Sequence, residues 1–89
     1  MSETRDIRLK RLRIRSWRRG MREMDMLLGP FSDGPLQDLD DAQMDNYEAL
    51  LSENDQEIYR WISGQEETPE QYQYLINRVL ATAEPSPSN

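Results

Sequence analysis

The sequence contains no cysteine and no histidine. Without cysteine the chain can form neither a disulfide nor a thiolate metal site. Without histidine it lacks the usual general base near neutral pH and the commonest metal ligand. Its 89 residues fit one small domain with a thin core, since a chain of this size buries only about 60–65% of its unfolded surface. These absences argue against an enzyme and favour a module that docks on something larger.

Long hydrophobic runs are also missing. No run approaches the ~20 apolar residues that span a bilayer, and the N-terminus has no apolar signal-peptide core. The N-terminus is rich in arginine, but Glu3 and Asp6 interrupt it, which is unlike a transit peptide. A cytoplasmic protein with no membrane insertion is the simplest interpretation.

Charges of the two signs are unevenly distributed along the chain. Residues 1–23 hold nine Lys/Arg and three Asp/Glu, whereas residues 24–89 hold two and fourteen, within a net charge of −6. This asymmetry indicates either pairing between the two parts or a polar docking surface. Solvated faces on a small helical protein would also explain it.

The first helix is predicted over residues 5–18. Leucine, arginine and lysine favour helix and no hairpin partner follows, although apolar and polar residues alternate near its end as in a short strand. Ile7 and Ile14 share one helical face with Trp17 nearby. Trp17 is interpreted as a residue of the core rather than an interface anchor, although large aromatics at the edge of a small core often serve both purposes.

The second helix is clearer and is predicted over residues 21–28. Its apolar stripe at helical spacing consists of Met21, Met24 and Leu28, extended by Phe31. Gly29-Pro30 is expected to end this helix or to distort its last turn, with a loop over residues 32–35. Met26 lies off the stripe, so it is the methionine best placed for an adaptable binding surface.

Three further helices follow, and each has its own start signal. Asp40 can cap the third helix, and Asn54 begins the fourth, for which Gly64 fits the C-terminal cap. Thr68-Pro69 begins the fifth, which runs to about Thr82. The residues predicted to face inward are Met44, Tyr47, Leu50, Leu51, Ile58, Trp61, Ile62, Tyr72, Ile76, Val79 and Leu80.

Five short helices joined by short connections predict an all-α fold, a compact five-helix bundle. We expect residues 1–83 to form this single helical domain. Residues 84–89 are a polar Pro/Ser tail that we expect to be disordered.

The most specific residues lie between the first two helices, where Arg19, Gly20 and Glu23 form the pattern R-G-x-x-E. If the helix runs through Gly20, Arg19 and Glu23 can form an i, i+4 pair. If Gly20 breaks the helix with a positive φ angle, Glu23 lies in the first turn of the second helix and favours its positive end. A functional interpretation stands beside both, because the missing side chain of Gly20 lets a partner backbone approach closely.

The clustered carboxylates and the basic N-terminal arm have plainer explanations than a metal site or nucleic-acid binding. The register of a calcium loop is absent, and capping explains the acidic residues better, so we expect no metal site and no catalytic residue. The arm could bind phosphates, yet the domain is acidic overall, which opposes attraction to a polyanion. The acidic residues concerned are Asp38, Asp40, Asp41 and Asp45.

The segment from Arg8 to Phe31, RLKRLRIRSWRRGMREMDMLLGPF, resembles the opening of the succinate dehydrogenase flavinylation factor family. That opening has a W-R-R-G-M-x-E-x-D core followed by apolar residues and a phenylalanine. Residues 47–51 and the following residues 54–62 are similar to a later part of the family, in which two leucines precede an acidic turn and an aromatic-rich helix. The resemblance covers roughly residues 8–80.

This resemblance implies an assembly factor, not an enzyme, that binds the flavoprotein subunit of succinate dehydrogenase and, in bacteria, that of the related fumarate reductase. Such a factor promotes covalent attachment of FAD to a histidine of the subunit, so the acceptor would lie on the partner. No G-x-G-x-x-G loop is present, so we expect the chain to bind no cofactor by itself. Carried over by position, the partner-binding residues are Arg19, Gly20 and Glu23, with Trp17, Arg18 and Asp25 adjacent.

The sequence also allows a different function. The basic N-terminal arm fits a small regulatory protein, antitoxin-like or nucleic-acid-binding.

Overall fold

The computed structural model describes residues 3–83, which form five α-helices and one short 3-10 helix. The predicted all-α five-helix bundle is confirmed, and the described residues contain no strand. The predicted Pro/Ser tail, residues 84–89, lies outside the described residues. In chain order the elements are α1 (Arg5–Trp17), α2 (Arg22–Asp33), the 3-10 helix (Pro35–Asp38), α3 (Asp41–Leu51), α4 (Asp55–Ile62) and α5 (Glu70–Ala83).

Local capping places the later helices where the sequence predicts them. The Asp40 carboxylate accepts the backbone N–H three residues ahead at 2.8 Å, and Asn54 accepts the one two residues ahead at 2.8 Å. Both side chains satisfy a donor that the first turn of a helix leaves unpaired. Gly64 has a φ of +81° just beyond α4, the left-handed conformation that the predicted C-terminal cap requires. Helix α5 begins directly after Pro69.

Helix α2 passes through Gly29 and Pro30 and continues to Asp33. The expectation that Gly29-Pro30 ends this helix is therefore wrong, and so is half of the predicted loop over residues 32–35. The physical reason is the side-chain burial that the last turn of α2, beyond Pro30, makes possible. Continued helix buries Phe31 completely against Tyr47, with ring centroids 5.2 Å apart. That burial contributes about 1.5–3 kcal/mol, which offsets much of the ~3 kcal/mol that a proline costs inside a helix.

One hydrophobic core joins all five helices. Helix α2 lies at its centre and packs against both α1 and α5. Most residues predicted to face inward are buried, but Leu80 is 37% exposed, so its placement in the core is wrong. The largest fully buried side chains are Tyr47, Phe31, Leu12, Met24, Leu28, Leu36, Met44, Leu50, Ile58 and Leu75.

Pairing between the basic first helix and the acidic part of the chain accounts for much of the charge asymmetry. Arg8 and Arg11 both contact the carboxylate of Glu48 on α3, at 3.0 and 2.8 Å. The Arg11 guanidinium, helped by Arg8, holds the pKa of Glu48 below its usual range. The first of the two interpretations of the charge split is thus confirmed. Further pairs are Arg5–Asp41, Arg8–Asp45 and Arg13–Asp33.

None of the helices in residues 3–83 has the length and the apolar character needed to cross a lipid bilayer.

Gly29 allows α1 and α2 to meet through an aromatic ring. A Cβ atom at Gly29 would lie 2.4–2.6 Å from three ring atoms of Trp17, closer than real side-chain contacts allow. The same indole donates from Nε1 to Asp33 at 3.0 Å. Gly29 is therefore required by this close approach, a role that its position before a proline conceals.

We expect Gly29→Ala to lower the melting temperature, although alanine normally stabilises a helix interior by about 0.5–1 kcal/mol. Here the indole must move, and overpacking of this kind costs about 1–3 kcal/mol, or roughly 4–20 °C for a domain of this size. Thermal unfolding followed by circular dichroism measures the change. In a Trp17→Ala background the same substitution should be neutral or stabilising. Equal destabilisation in both backgrounds would contradict the role of the ring.

Candidate functional site

The six predicted partner-binding residues meet at the α1–α2 corner, defined here as residues 17–25. Helix α1 ends at Trp17 and α2 begins at Arg22, so the helix does not run through Gly20. The i, i+4 alternative for Arg19 and Glu23 is therefore wrong. Glu23 lies in the first turn of α2, where its charge favours the positive end of the helix dipole.

Gly20 makes the turn between the two helices. Its φ is +92°, and a Cβ atom built on it would meet nothing within 4 Å. Glycine is required here by backbone conformation and not by crowding inside the protein. The open space above it also leaves the backbone accessible to a partner.

Arg19 fastens the corner to the rest of the bundle. Its side chain is only 10% exposed, and its guanidinium contacts Asp55 at 2.6 Å. It also donates to the backbone carbonyls of Leu51 and Glu53, the latter at 2.9 Å. Three acceptors between the last residue of α3 and the first residue of α4 thus converge on one guanidinium. Its planar, fixed set of N–H donors suits this arrangement. Arg19 contributes to the fold, and its assignment to the partner surface stays a prediction.

Two further hydrogen bonds link the contacts of Arg19 to α2 and to α5. The backbone N–H of Arg19 donates to the Asp25 carboxylate at 2.9 Å, which closes the corner onto the first turn of α2. The Tyr72 hydroxyl donates to the carboxylate of Glu53 at 2.9 Å, which links the α3–α4 connection to α5. Asp25, like Arg19, holds the shape of the corner, while its role towards a partner stays a prediction.

The remaining predicted partner-binding residues of the corner are exposed, whereas Met24 in the same stretch is fully buried. Arg18, Gly20 and Glu23 are exposed, and within residues 3–83 neither Arg18 nor Glu23 has a side-chain hydrogen bond or ion pair. Trp17 is 37% exposed and lies across Gly29, so its interpretation as a core residue is wrong. The six predicted residues thus divide into exposed ones that can contact another protein and an inner pair, Arg19 and Asp25, that holds the turn in place.

Two open recesses flank the corner, and they differ in chemistry. The corner cleft has a volume of about 280 Å³ and is polar; its lining residues are Arg15, Arg18, Arg19, Glu53 and Asp55. The corner groove has a volume of about 340 Å³ and is more apolar; its lining residues are Arg22, Glu23, Met26, Leu27 and Tyr59. Met26 is 56% exposed there, as its position off the apolar stripe predicts. Sequence analysis missed Asp55 and Tyr59 as parts of this site, since both are distant in the chain.

A buried polar pair lies under the corner. The hydroxyls of Ser16 and Tyr47 are 2.6 Å apart, and Ser16 also donates to the carbonyl of Leu12 at 2.8 Å. Burial raises the pKa of the Tyr47 phenol, which keeps it neutral and protonated. Such a group serves as a satisfied hydrogen-bond partner inside the core and cannot act as a base for a reaction at the surface.

Three of the four clustered carboxylates serve capping and ion pairing. Asp40 caps α3, while Asp41 and Asp45 pair with arginines of α1. In residues 3–83 no three carboxylates converge as metal ligands would. The arrangement at the corner can therefore provide charged and apolar contacts to another macromolecule.

Comparison with known proteins identifies one family. The family described as flavinator of succinate dehydrogenase matches residues 10–83. The chain is 40% identical over 80 residues to "Succinate dehydrogenase assembly factor 2, mitochondrial" of Danio rerio, which covers 88% of this chain and 51% of the relative. It is 39% identical over 70 residues to the protein of that name in Schizosaccharomyces pombe, with 79% and 50% covered. The chain spans about half the length of these curated relatives, and no solved structure matches it significantly.

We expect Arg19→Ala to destabilise the protein by about 2–3 kcal/mol. Removing one partner of a buried ion pair costs about 3–5 kcal/mol, and this pair is slightly exposed, which lowers the figure. Arg19→Lys should recover only part of the loss, since lysine cannot reach three acceptors in one plane. Urea unfolding measures both. The neighbouring exposed Arg18 provides the control, because Arg18→Ala should stay within about 0.5 kcal/mol. Wild-type stability of Arg19→Ala would show that the anchor contributes nothing.

Proposed function

Because the chain belongs to the family described as flavinator of succinate dehydrogenase, we propose that it acts on the flavoprotein subunit of that enzyme. In this proposal it binds the subunit as an assembly factor and promotes covalent attachment of FAD to it. The observation that carries the proposal is the α1–α2 corner, where Arg18, Gly20 and Glu23 are exposed and nearly buried Arg19 fixes the turn between the helices. Relatives named succinate dehydrogenase assembly factor 2 support it.

The physical contribution of the corner is positioning. A surface that binds one arrangement of the partner's domains better than others shifts the partner towards that arrangement. Attachment of FAD needs the flavin held against the acceptor side chain, and correct placement alone lowers such a barrier substantially. A preformed corner suits this task, because little ordering entropy is lost when it binds.

We propose that the protein is a binding factor and not an enzyme. The acceptor and the FAD would both belong to the partner, and this chain offers neither histidine nor cysteine for proton transfer or nucleophilic attack. Its recesses are open and its exposed groups suit contact between proteins. The chain itself would hold no cofactor.

The flavoprotein subunit of fumarate reductase is proposed as a second partner of the same corner. We also propose that the protein acts in the cytoplasm, whereas the relatives are named mitochondrial. Cell fractionation separates these two locations.

The alternative of a nucleic-acid-binding or antitoxin-like regulator loses much of its motive. Most arginines of the arm bind carboxylates of the protein itself, which leaves few of these groups for phosphates. The paired residues are Arg5, Arg8, Arg11 and Arg13.

Glu23→Ala should abolish flavin attachment while leaving the fold intact. Truncating one member of a charge pair at an interface costs about 2–5 kcal/mol, which is roughly a 30- to 4000-fold loss of affinity. The measurement is covalent flavin fluorescence of the dehydrogenase flavoprotein subunit after denaturing electrophoresis, with melting temperature recorded in parallel. Gly20→Ala should lose flavin attachment as well, with some strain in the fold from its positive φ.

Glu70 provides a matched control for Glu23, since it is also an exposed glutamate in the first turn of a helix. Glu70→Ala should support normal flavin attachment. Normal attachment with Glu23→Ala would show that this residue does not act at the partner surface.

The isolated protein should not bind FAD. This expectation follows from the absence of a dinucleotide-binding loop in the sequence and from recesses that are open and lined by charged residues. Isothermal titration calorimetry of the protein with FAD should give no binding heat, with the flavoprotein subunit as the positive control. Micromolar or tighter binding to this chain would overturn the proposal that it holds no cofactor.

A further inference from the structure

Apart from Arg19, the arginines from the start of α1 to the first turn of α2 fall into two groups. Those in the first three turns of α1 bind carboxylates of α3 and of Asp33, the last residue of α2. In the described residues Arg15, Arg18 and Arg22 bind no carboxylate, and the only polar side-chain partner of the three is Ser52, 3.5 Å from Arg15. Arg18 and Arg22 belong to the α1–α2 corner, and Arg15 lies beside it in the last turn of α1.

A shortage of acidic residues does not explain this grouping. The protein has six more acidic than basic residues, and most of its basic residues are paired. Arg15 and Arg18 line the same cleft, so their charges repel each other and would be expected to attract the surplus carboxylates nearby. The corner cleft is lined by three arginines and two carboxylates, so it carries a positive excess on an acidic protein, a pattern that favours a negatively charged partner surface.

The two recesses lie side by side and extend this pattern. Asp55 lines the corner cleft and Tyr59 lines the corner groove. These residues are four apart on α4, so they share one face of that helix. A chain segment crossing this face would meet the cations of the cleft and then the apolar side chains of Met26 and Tyr59.

We infer that the corner receives an acidic segment of the partner that also carries an apolar side chain. Its carboxylates bind Arg15 and Arg18 in the cleft, and its apolar side chain enters the groove against Met26 and Tyr59. Arginine forks bind carboxylates through two parallel hydrogen bonds, which gives direction as well as affinity. This inference rests on the proposed function and specifies the chemistry of the flavoprotein surface that the corner recognises.

The carboxylates in the cleft wall favour a peptide segment over a polyanion. Glu53 and Asp55 line the cleft together with the arginines; the Asp55 carboxylate is paired with Arg19, and the Glu53 carboxylate accepts from the Tyr72 hydroxyl. Arg15 and Arg18 are the cleft arginines that bind no carboxylate in the described residues, so they match one or two carboxylates, whereas a dense row of phosphates would bring more negative charge than they can neutralise.

The test measures association of the full chain with the purified flavoprotein subunit at salt concentrations from about 0.05 to 0.5 M. The wild-type association rate should fall steeply as salt rises. Arg18→Glu should slow association about tenfold at low salt and flatten the salt dependence. Arg15→Glu should behave in the same way. Met26→Gln should weaken the complex mainly through faster dissociation, with the salt dependence unchanged.

Arg78→Glu is the matched control, because Arg78 on α5 also binds no carboxylate in the described residues and the change in net charge is the same. It should associate like wild type. Equal slowing by Arg18→Glu and Arg78→Glu, or a wild-type rate indifferent to salt, would overturn the inference while a complex still forms. Absence of any complex with wild type would overturn the proposed function itself. Arg18→Gln gives the same comparison with a neutral side chain should the charge reversal disturb folding.

Discussion

The geometry of the site depends on the contacts that the Arg19 guanidinium makes. It joins a turn between two helices to the connection between two others, and it does so from a nearly buried position. Without it Gly20 would allow the corner many conformations, because glycine restricts the backbone so little. With it, the exposed residues of the turn have fixed neighbours. A motif predicted to lie at the surface thus contains one residue, Arg19, that binds the rest of the protein, and others that face solvent.

The same side-chain type performs different tasks along the first third of the chain. Early arginines bind α1 to acidic α3 and lower the pKa of Glu48 through direct hydrogen bonds. At the corner Arg19 binds Asp55, whereas Arg18 and Arg22 bind no carboxylate in the described residues. The exposed pairs of α1 each contribute only about 0–1 kcal/mol, so hydrophobic burial supplies most of the stability. Ion pairing within the protein instead determines which arginines bind its own carboxylates and which bind none in the described residues.

The sequence predicts those parts of the structure that local chemistry decides. Caps such as Asp40 and Asn54 act within one turn, so the helix starts that they mark are confirmed. Contacts across the fold were beyond such patterns. Nothing local to Gly29 shows that an indole from α1 lies on it, and nothing local to Arg19 points to Asp55. The site residues were found through resemblance to a family, whereas the division between anchoring and exposed residues needed the three-dimensional arrangement.

Hydrogen–deuterium exchange of the protein bound to the flavoprotein subunit tests most directly whether the anchored corner is the docking surface. Binding should slow amide exchange in residues 18–27 and 53–59, which carry the corner and its two recesses. Exchange in the outer part of α5, residues 70–78, should match that of the free protein. Slower exchange confined to α5, with the corner exchanging as it does in the free protein, would contradict the account.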